Sequence, residues 1–197
     1  RQAIDDEAQN HQLMLLHGAQ GKGKSTFVRH LLPPELKDYY RNGMISPDNK
    51  DHLLQMSSCL LINLDEFDTL SPARMQELKS LITQDVMNER KVYDIQNYTF
   101  IRRASFIAST NNPHCLPDIG ENRRILFNTL LEIDYHTPVN HQGIYAQAYA
   151  LYQQGFQYWY ENQEITFLNN RNEAFRQKDP LEANLFFYFR AARPNDI

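Results

Sequence analysis

A short glycine-rich segment near the amino terminus has the residue types and spacing of a loop that holds phosphate groups. Residues 18–25, with the sequence GAQGKGKS, match the pattern G-x-x-x-x-G-K-[ST]. Glycine allows backbone N–H groups to turn toward a phosphate, and the amine of Lys24 can reach the β and γ phosphates of a nucleotide. The pattern does not specify the base, and we take ATP as the default. The predicted nucleotide-binding residues are Gly18, Gln20, Gly21, Lys22, Gly23, Lys24, Ser25 and Thr26.

Two adjacent carboxylates follow the second apolar run of the chain. Residues 58–64 form a continuous apolar run, which predicts a buried strand. Asp65 and Glu66 come directly after this run. Ligands gather at the carboxyl ends of strands in open parallel sheets. We expect Asp65 and the Ser25 hydroxyl to hold Mg²⁺, and Glu66 to orient and deprotonate an attacking water. The alternative for the acidic pair is a capping or loop role.

Amide and guanidinium groups complete the candidate chemistry. Asn111 follows a predicted strand at residues 104–109, where its amide could sense the γ-phosphate; a simple turn is the alternative. Arg123 and Arg124 precede another apolar stretch, and paired guanidinium groups stabilise charge on transferring phosphoryl oxygens. Surface ion pairing is the alternative for the two arginines. Together these residues predict hydrolysis of a nucleoside triphosphate.

Short apolar runs alternate with helix-like segments, so we predict an α/β fold with a mostly parallel sheet. Strands are expected at residues 12–17, 58–64 and 104–109, helices at 24–32, 35–42, 48–56, 71–83 and 144–160, and hairpin arms at 91–95 and 98–102. Ser71 and Pro72 form a typical helix start. We place the core at residues 1–135 and a small helical C-terminal appendage at 136–197.

The appendage has a dense aromatic series. At mixed helical spacing these side chains are expected to pack the appendage on the core, and stacking on nucleic-acid bases is the alternative. The series consists of Tyr145, Tyr149, Tyr152, Phe156, Tyr158, Trp159 and Tyr160.

Composition excludes several classes of protein. The 197 residues include 20 basic and 24 acidic side chains, a net charge of −4, so any nucleic-acid contact must be local. The two cysteines fit no disulfide framework, and no apolar run is long enough to span a bilayer. We expect a cytoplasmic protein with no membrane partner. Because the sequence starts without methionine, we also expect it to be a piece of a longer chain.

The ordered motifs together resemble the virulence-associated protein E family, whose ATPase domain is similar to superfamily 3 helicases of phage and plasmid replication. The resemblance covers about residues 12–135, and its most specific part is the LPDIGENRR segment at residues 116–124. Ile119 and Glu121 depart from the family pattern. The motifs that carry the resemblance are residues 18–25, 64–66, 78–79, 90–93, 103–111 and 116–124.

The resemblance implies a P-loop NTPase core of three layers, α/β/α, similar to AAA+ ring ATPases. It implies roles for Glu66 as the base, for Asn111 as the sensor, and for Arg124, with Arg123 second, as a finger acting on a neighbouring subunit of a homo-oligomeric ring. An N-terminal primase-like domain in the full-length chain is a further implication.

The resemblance also implies a DNA contact. In superfamily 3 helicases, a hairpin between the acidic strand and the sensor strand carries a basic residue into a central channel. The equivalent segment here is residues 90–102, in which Lys91, followed by Arg90, would contact the backbone of single-stranded DNA. A solvated hairpin charge is the alternative.

The sequence is therefore consistent with three functional hypotheses. The leading one is Mg²⁺-dependent ATP hydrolysis coupled to movement along DNA. The second is an NTP-switched assembly or binding module that unwinds no strand, which the net negative charge favours. The third, a small nucleotide kinase, is disfavoured by Glu66 and Asn111, because a kinase must keep water from its phosphoryl group.

Overall fold

A computed structural model describes residues 2–65, 67–90, 97–116 and 122–177, together with residues 181, 188 and 189. The elements in the described residues are β1 (Leu13–His17), α1 (Lys24–Arg29), a 3-10 helix (Pro34–Tyr39), β2 (Tyr40–Asn42), α2 (Lys50–Ser58), β3 (Leu61–Leu64), a 3-10 helix (Phe67–Thr69), α3 (Pro72–Thr83), β4 (Val86–Arg90), β5 (Asn97–Ile101), β6 (Ser105–Thr110), β7 (Ile125–Thr129), α4 (His141–Gln153) and α5 (Asn162–Glu173).

Five of the strands form one sheet in the order β2-β3-β6-β1-β7, and each neighbouring pair is parallel. Leu13 at the start of β1 lies beside Phe106 of β6 on one side and Ile125 of β7 on the other. The prediction of a mixed α/β fold with a parallel sheet is confirmed. Because the strands run in the same direction, the loops that follow β1, β3 and β6 leave from one edge.

The sheet buries apolar side chains on both faces, which explains why its central strands lack polar alternation. Leu15, Ile62 and Phe127 belong to the main core, which also contains Met56 of α2 and Leu78 of α3. A smaller cluster of Leu16, Val28 and Ile107 lies on the face covered by α1. Each fully buried apolar side chain of this kind stabilises the folded state by roughly 1.5–3 kcal/mol relative to the same side chain left exposed.

The helix starts follow local sequence closely. The Ser71 hydroxyl accepts a hydrogen bond from the backbone N–H of Arg74, and Pro72 occupies the first turn of α3, as predicted.

The predicted helix at residues 35–42 is partly wrong. Its last three residues form the edge strand β2, because Tyr40 pairs with Leu61 of the neighbouring apolar strand.

The strands β4 and β5 form a separate antiparallel hairpin in which Met87 lies opposite Phe100 and Arg90 lies opposite Asn97. The predicted second arm at residues 98–102 overlaps β5, whereas the predicted first arm at residues 91–95 falls outside the described residues; the strand that pairs with β5 is Val86–Arg90. Met87 is 1% exposed and anchors this arm on the main core. Residues 91–96 lie outside the described part of the chain.

The residues after β7 return twice to the core. Near the start of α4, the Tyr145 hydroxyl donates to Leu31 O at 3.2 Å, and His141 Nε2 lies 2.7 Å from His30 O. After α5, the ring of Phe175 stacks on Phe127 with a centroid distance of 3.7 Å. The division between core and appendage at residues 135 and 136 stays a prediction.

The aromatic series of the appendage is largely exposed. Tyr149 is 54% exposed, Phe156 58% and Trp159 53%. The prediction that these side chains pack the appendage on the core is therefore wrong for them. The predicted helix at 144–160 is also too long, because α4 ends at Gln153 and Gly155 adopts a φ of +69°.

Cys59 and Cys115 are buried free thiols, and burial raises the pKa of Cys115 to about 11. Within the described ranges, no helix is both long and apolar enough to cross a membrane.

Candidate functional site

Residues 18–25 form the turn that joins the carboxyl end of β1 to α1. Gly21 and Gly23 have φ values of +77° and +79°, which L side chains rarely adopt. Gly23 is restricted a second time, because an added Cβ would lie 2.1 Å from Cδ1 of Tyr135. The two glycines therefore allow the path of this glycine-rich loop, and the absence of a side chain at Gly23 makes room for Tyr135.

The amine of Lys24 folds back into the glycine-rich loop. Its Nζ donates to Gly18 O at 2.7 Å, to Ala19 O at 2.9 Å and to Asn111 Oδ1 at 2.7 Å. Burial lowers the pKa of Lys24, whereas the nearby carboxylates of Asp65 and Asp68 act in the opposite direction. Three oxygen acceptors thus hold a cation at the position where the loop meets the end of β6.

Asp65 and Ser109 come together beside this amine. The Ser109 hydroxyl at the end of β6 donates to Asp65 Oδ1 at 3.1 Å. The pairing of β3 with β6 brings the two residues to one edge, since Leu64 lies beside Ala108. A carboxylate, a serine hydroxyl and an amide oxygen therefore converge at the carboxyl ends of two adjacent strands.

One cavity of about 480 Å³ collects most of the predicted site residues. Its lining consists of Gln20, Gly21, Lys22, Gly23, Lys24, Ser25, Thr26, Asp65, Ser109, Asn111 and Tyr135. Gly18 contributes its carbonyl to Lys24 from behind the loop. Their roles as nucleotide and metal ligands stay predictions.

Two residues of this cavity are not predicted by sequence reasoning. Ser109 belongs to a Ser-Thr-Asn-Asn run whose polar character is evident, but nothing in the run singles out this hydroxyl. Tyr135 carries no motif, and it reaches the loop only because the chain after β7 passes over Gly18 and Gly23. Since that path is a tertiary feature, no local signal identifies Tyr135.

Three predicted residues have no described side chain. Glu66 and Lys91 lie outside the described residues, and so do residues 117–121 of the family-specific segment. Arg90 is described only through the backbone of β4, as the partner of Asn97. The predicted roles of Glu66, Lys91 and Arg90 stay predictions.

Arg123 and Arg124 are not brought to the cavity. Leu13 N, at the start of β1, donates to Arg124 O at 2.7 Å, so the arginine pair sits at the amino edge of the sheet. Lys24 lies beyond the opposite end of β1, which is five residues long. At a rise of about 3.3 Å per residue the two edges are roughly 13 Å apart or more. The backbone of the arginine pair and the glycine-rich loop of one chain therefore lie at opposite edges of the sheet.

A buried polar network fixes the turn that carries these arginines. Lys79 Nζ in α3 donates to Asn122 Oδ1 at 2.9 Å, and Asn172 Nδ2 in α5 donates to Asn122 O at 2.9 Å and Ile125 O at 2.8 Å. Burial lowers the pKa of Lys79, and the charge of Arg124 lowers it further. Helices α3 and α5 thus clamp the start of β7.

Comparison with solved structures finds similar folds in the NrS-1 C-terminal region. An apo structure of that region has a TM-score of 0.47 at 15% identity, covering 85% of this chain and 36% of that chain. Two A-form apo structures have TM-scores of 0.45 and 0.43 at 15% and 20% identity, each covering 86% of this chain. This chain spans 35% and 36% of their lengths.

Comparison with family models gives a match that takes in most of the chain, whereas comparison with curated proteins gives none. The matching model is described as the virulence-associated protein E-like domain, and it aligns with residues 2–177. That range includes the glycine-rich loop, the ends of β3 and β6, and the arginine pair. The chain therefore belongs to the virulence-associated protein E-like domain family.

Proposed function

We propose that this chain is a Mg²⁺-dependent ATP-binding and ATP-hydrolysing domain with a P-loop NTPase core of the AAA+ and superfamily 3 helicase type. The observation that carries the proposal is the contact of Lys24 Nζ with Asn111 Oδ1 beside the Asp65–Ser109 pair, in a cavity rimmed by a glycine-rich loop. A buried cation among hydroxyl, amide and carboxylate groups suits a triphosphate and its metal ion.

The triphosphate would lie along residues 20–26, with backbone N–H groups of the loop donating to its oxygens. Lys24 would exchange its carbonyl acceptors for the β and γ phosphates. Because burial disfavours the free charged amine, an anionic ligand would offset this penalty and raise the pKa of Lys24 again.

Ser25 and Asp65 are the residues that would hold Mg²⁺. Oxygen donors of these types are the ligands that Mg²⁺ prefers, and the Ser109 hydroxyl orients the Asp65 carboxylate from the adjacent strand. The ion would neutralise charge on the phosphate oxygens. Among the residues that the structure describes, no group of three or more histidine, cysteine, aspartate or glutamate side chains is placed to hold a metal ion, so the rest of the Mg²⁺ shell would come from phosphate and water.

Hydrolysis needs a base and a sensor at the γ-phosphate. Glu66, the neighbour of Asp65 in the sequence, would accept a proton from water as the water oxygen bonds to the γ-phosphorus and the bond to the bridging oxygen breaks, releasing ADP. Asn111 would contact the γ-phosphate or the water. Its present contact with Lys24 supports this role, because it lies within reach of the same anion.

We assign the arginine finger to Arg124, with Arg123 second, acting on the nucleotide of a neighbouring copy. The placement of the pair at the amino edge, opposite the cavity, supports action between subunits. A contact that joins two different faces of identical chains is heterologous and generates a ring when it closes. A homo-oligomeric ring is thus part of the proposal.

Coupling to DNA depends on residues other than the described ones that line the cavity of the candidate site. Lys91, with Arg90 next, would contact the backbone of single-stranded DNA from the end of β4 and the part of the sequence between β4 and β5. The protein would act in replication in the cytoplasm, and its full-length chain would carry a primase-like domain. The rival hypothesis is an NTP-switched assembly module, which the net charge of −4 favours.

Replacing Lys91 with alanine tests the DNA-coupled hypothesis. Loss of one phosphate contact, on the order of 1 kcal/mol, should weaken single-stranded DNA affinity by about fivefold and reduce the salt slope by about 1. Binding is measured by fluorescence anisotropy at several salt concentrations, with ATP turnover recorded with and without DNA. Lys37→Ala, at an exposed lysine of the first 3-10 helix, is the control. Unchanged DNA affinity in Lys91→Ala, with turnover indifferent to DNA, would favour the assembly module.

A further inference from the structure

The ring of Tyr135 lies directly against the glycine-rich loop. An added Cβ on Gly23 would be 2.1, 2.6 and 2.7 Å from Cδ1, Cε1 and Cγ of this ring, so ring and backbone are in contact over one edge of the aromatic group. Tyr135 is half-buried and also lines the cavity of the candidate site. Part of its surface therefore remains available to a ligand in that cavity.

A compact turn holds the ring in this position. Asp134 Oδ1 accepts hydrogen bonds from the backbone N–H groups of His136 and Thr137, each at 3.0 Å, and Asp134 Oδ2 accepts from the Thr137 hydroxyl. The His136 ring lies 4.3 Å from the Tyr135 ring between centroids. The turn thus restrains the backbone at Tyr135, and Gly23 and the His136 ring lie against its side chain, so the ring loses little entropy when a ligand binds.

Strand order indicates which end of a nucleotide would meet this ring. The sheet runs β2-β3-β6-β1-β7. Asp65 and Asn111 follow β3 and β6, on one side of β1, whereas Tyr135 follows β7 on the other side. If the metal and terminal phosphate lie by Asp65 and Asn111, a linear triphosphate leads its ribose and base away from them, toward β7.

We propose that Tyr135 is the base-contacting residue of the site, and that its ring stacks on the nucleobase. The inference rests on the proposed nucleotide-binding function. Stacking on an aromatic ring tolerates every base, because each base has a π-face. Tyr135 therefore distinguishes a nucleotide from inorganic polyphosphate, and it contributes equally to ATP and GTP.

Calorimetric titration with Mg²⁺-ATP and with Mg²⁺-tripolyphosphate tests whether Tyr135 stacks on the base or only supports the glycine-rich loop. Tripolyphosphate lacks ribose and base, so loss of stacking should weaken only the binding of ATP. Tyr135→Leu fills the space beside Gly23 without a ring face, and Tyr135→Phe keeps the ring. In Tyr135→Leu we expect ATP affinity to fall by about tenfold to a hundredfold while tripolyphosphate affinity changes less than about twofold. Tyr135→Phe should bind both ligands as the original chain does.

Controls distinguish failure of this inference from failure of the proposed function. Tyr149→Leu, at an exposed tyrosine of α4, should leave both affinities unchanged. Equal weakening of ATP and tripolyphosphate in Tyr135→Leu, or no weakening of either, would overturn the stacking role while nucleotide binding still stands. If the original chain binds neither ligand, the proposed function itself fails, and the stacking role with it.

Discussion

Replacing Lys24 with methionine is expected to weaken Mg²⁺-ATP binding by roughly a hundredfold or more. Each charge-assisted hydrogen bond is worth about 1.5–3 kcal/mol, and the proposed amine makes at least two with the phosphates. Methionine keeps most of the side-chain length and removes only the cationic donor. Calorimetric titration of both proteins with Mg²⁺-ATP measures the loss.

Thermal unfolding of the same variant separates a binding defect from a folding defect. Burial disfavours the charged amine in the folded chain and lowers the pKa of Lys24, and this penalty offsets the hydrogen bonds that the amine makes to Gly18 O, Ala19 O and Asn111 Oδ1, so the melting temperature should change little. Lys37→Met, which alters an exposed lysine outside the site, should bind ATP normally. Undiminished ATP binding in Lys24→Met would show that the glycine-rich loop does not hold the triphosphate through this amine.

Replacing Arg102 with methionine is expected to lower the free energy of unfolding by about 3–5 kcal/mol, because four carbonyl groups lose their donor at roughly 1–3 kcal/mol each, offset in part by the charge that no longer has to be buried. This arginine, which follows β5, is fully buried. Its guanidinium donates to Gln84 O, Ala104 O, Asn10 O and Ile82 O at 2.8–3.0 Å. Without the side chain, four backbone carbonyl groups from three segments, at residue 10, residues 82–84 and residue 104, lose a hydrogen-bond donor.

The neighbouring arginine provides a matched control. Arg103 is partly exposed, contacts the exposed Asp6 and donates to Gln2 O at 3.2 Å. Arg103→Met should therefore change the free energy of unfolding by about 1 kcal/mol or less. Urea denaturation of the original chain, Arg102→Met and Arg103→Met at neutral pH measures these differences. Burial lowers the pKa of Arg102 to about 10, so its guanidinium group is charged at that pH. Equal losses in the two variants would contradict the structural role of Arg102.

The parts of the fold that the sequence predicts well are those with a strong local cause. The apolar runs around β1, β3 and β6 are buried on both faces and therefore lack polar interruptions, and the cap at Ser71 is a hydrogen bond within four residues. The loops that follow these strands contain the candidate site. Strand direction and local motifs are therefore enough to predict that the glycine-rich loop, Asp65 and Asn111 lie together.

Several features that the sequence does not predict depend on distant contacts. Residues 40–42 form a strand only because β3 offers a free edge, and the buried position of Arg102 depends on the carbonyl groups of Asn10, Ile82 and Gln84, which are distant in the sequence. The aromatic residues of α4 and the following segment are exposed although their side chains are apolar, because apolar character alone does not specify burial. Tyr135 meets Gly23 across more than a hundred residues of sequence, and that proximity depends on the order of β1 and β7.

The central claim is that this site hydrolyses ATP, and steady-state phosphate release by the original chain and by Glu66→Gln tests it most directly. We expect Mg²⁺-dependent turnover that falls by at least about a hundredfold in Glu66→Gln, while calorimetry shows that this variant still binds Mg²⁺-ATP, because only the base is removed. Equal turnover in the two proteins, or no ATP binding by the original chain, would contradict the claim.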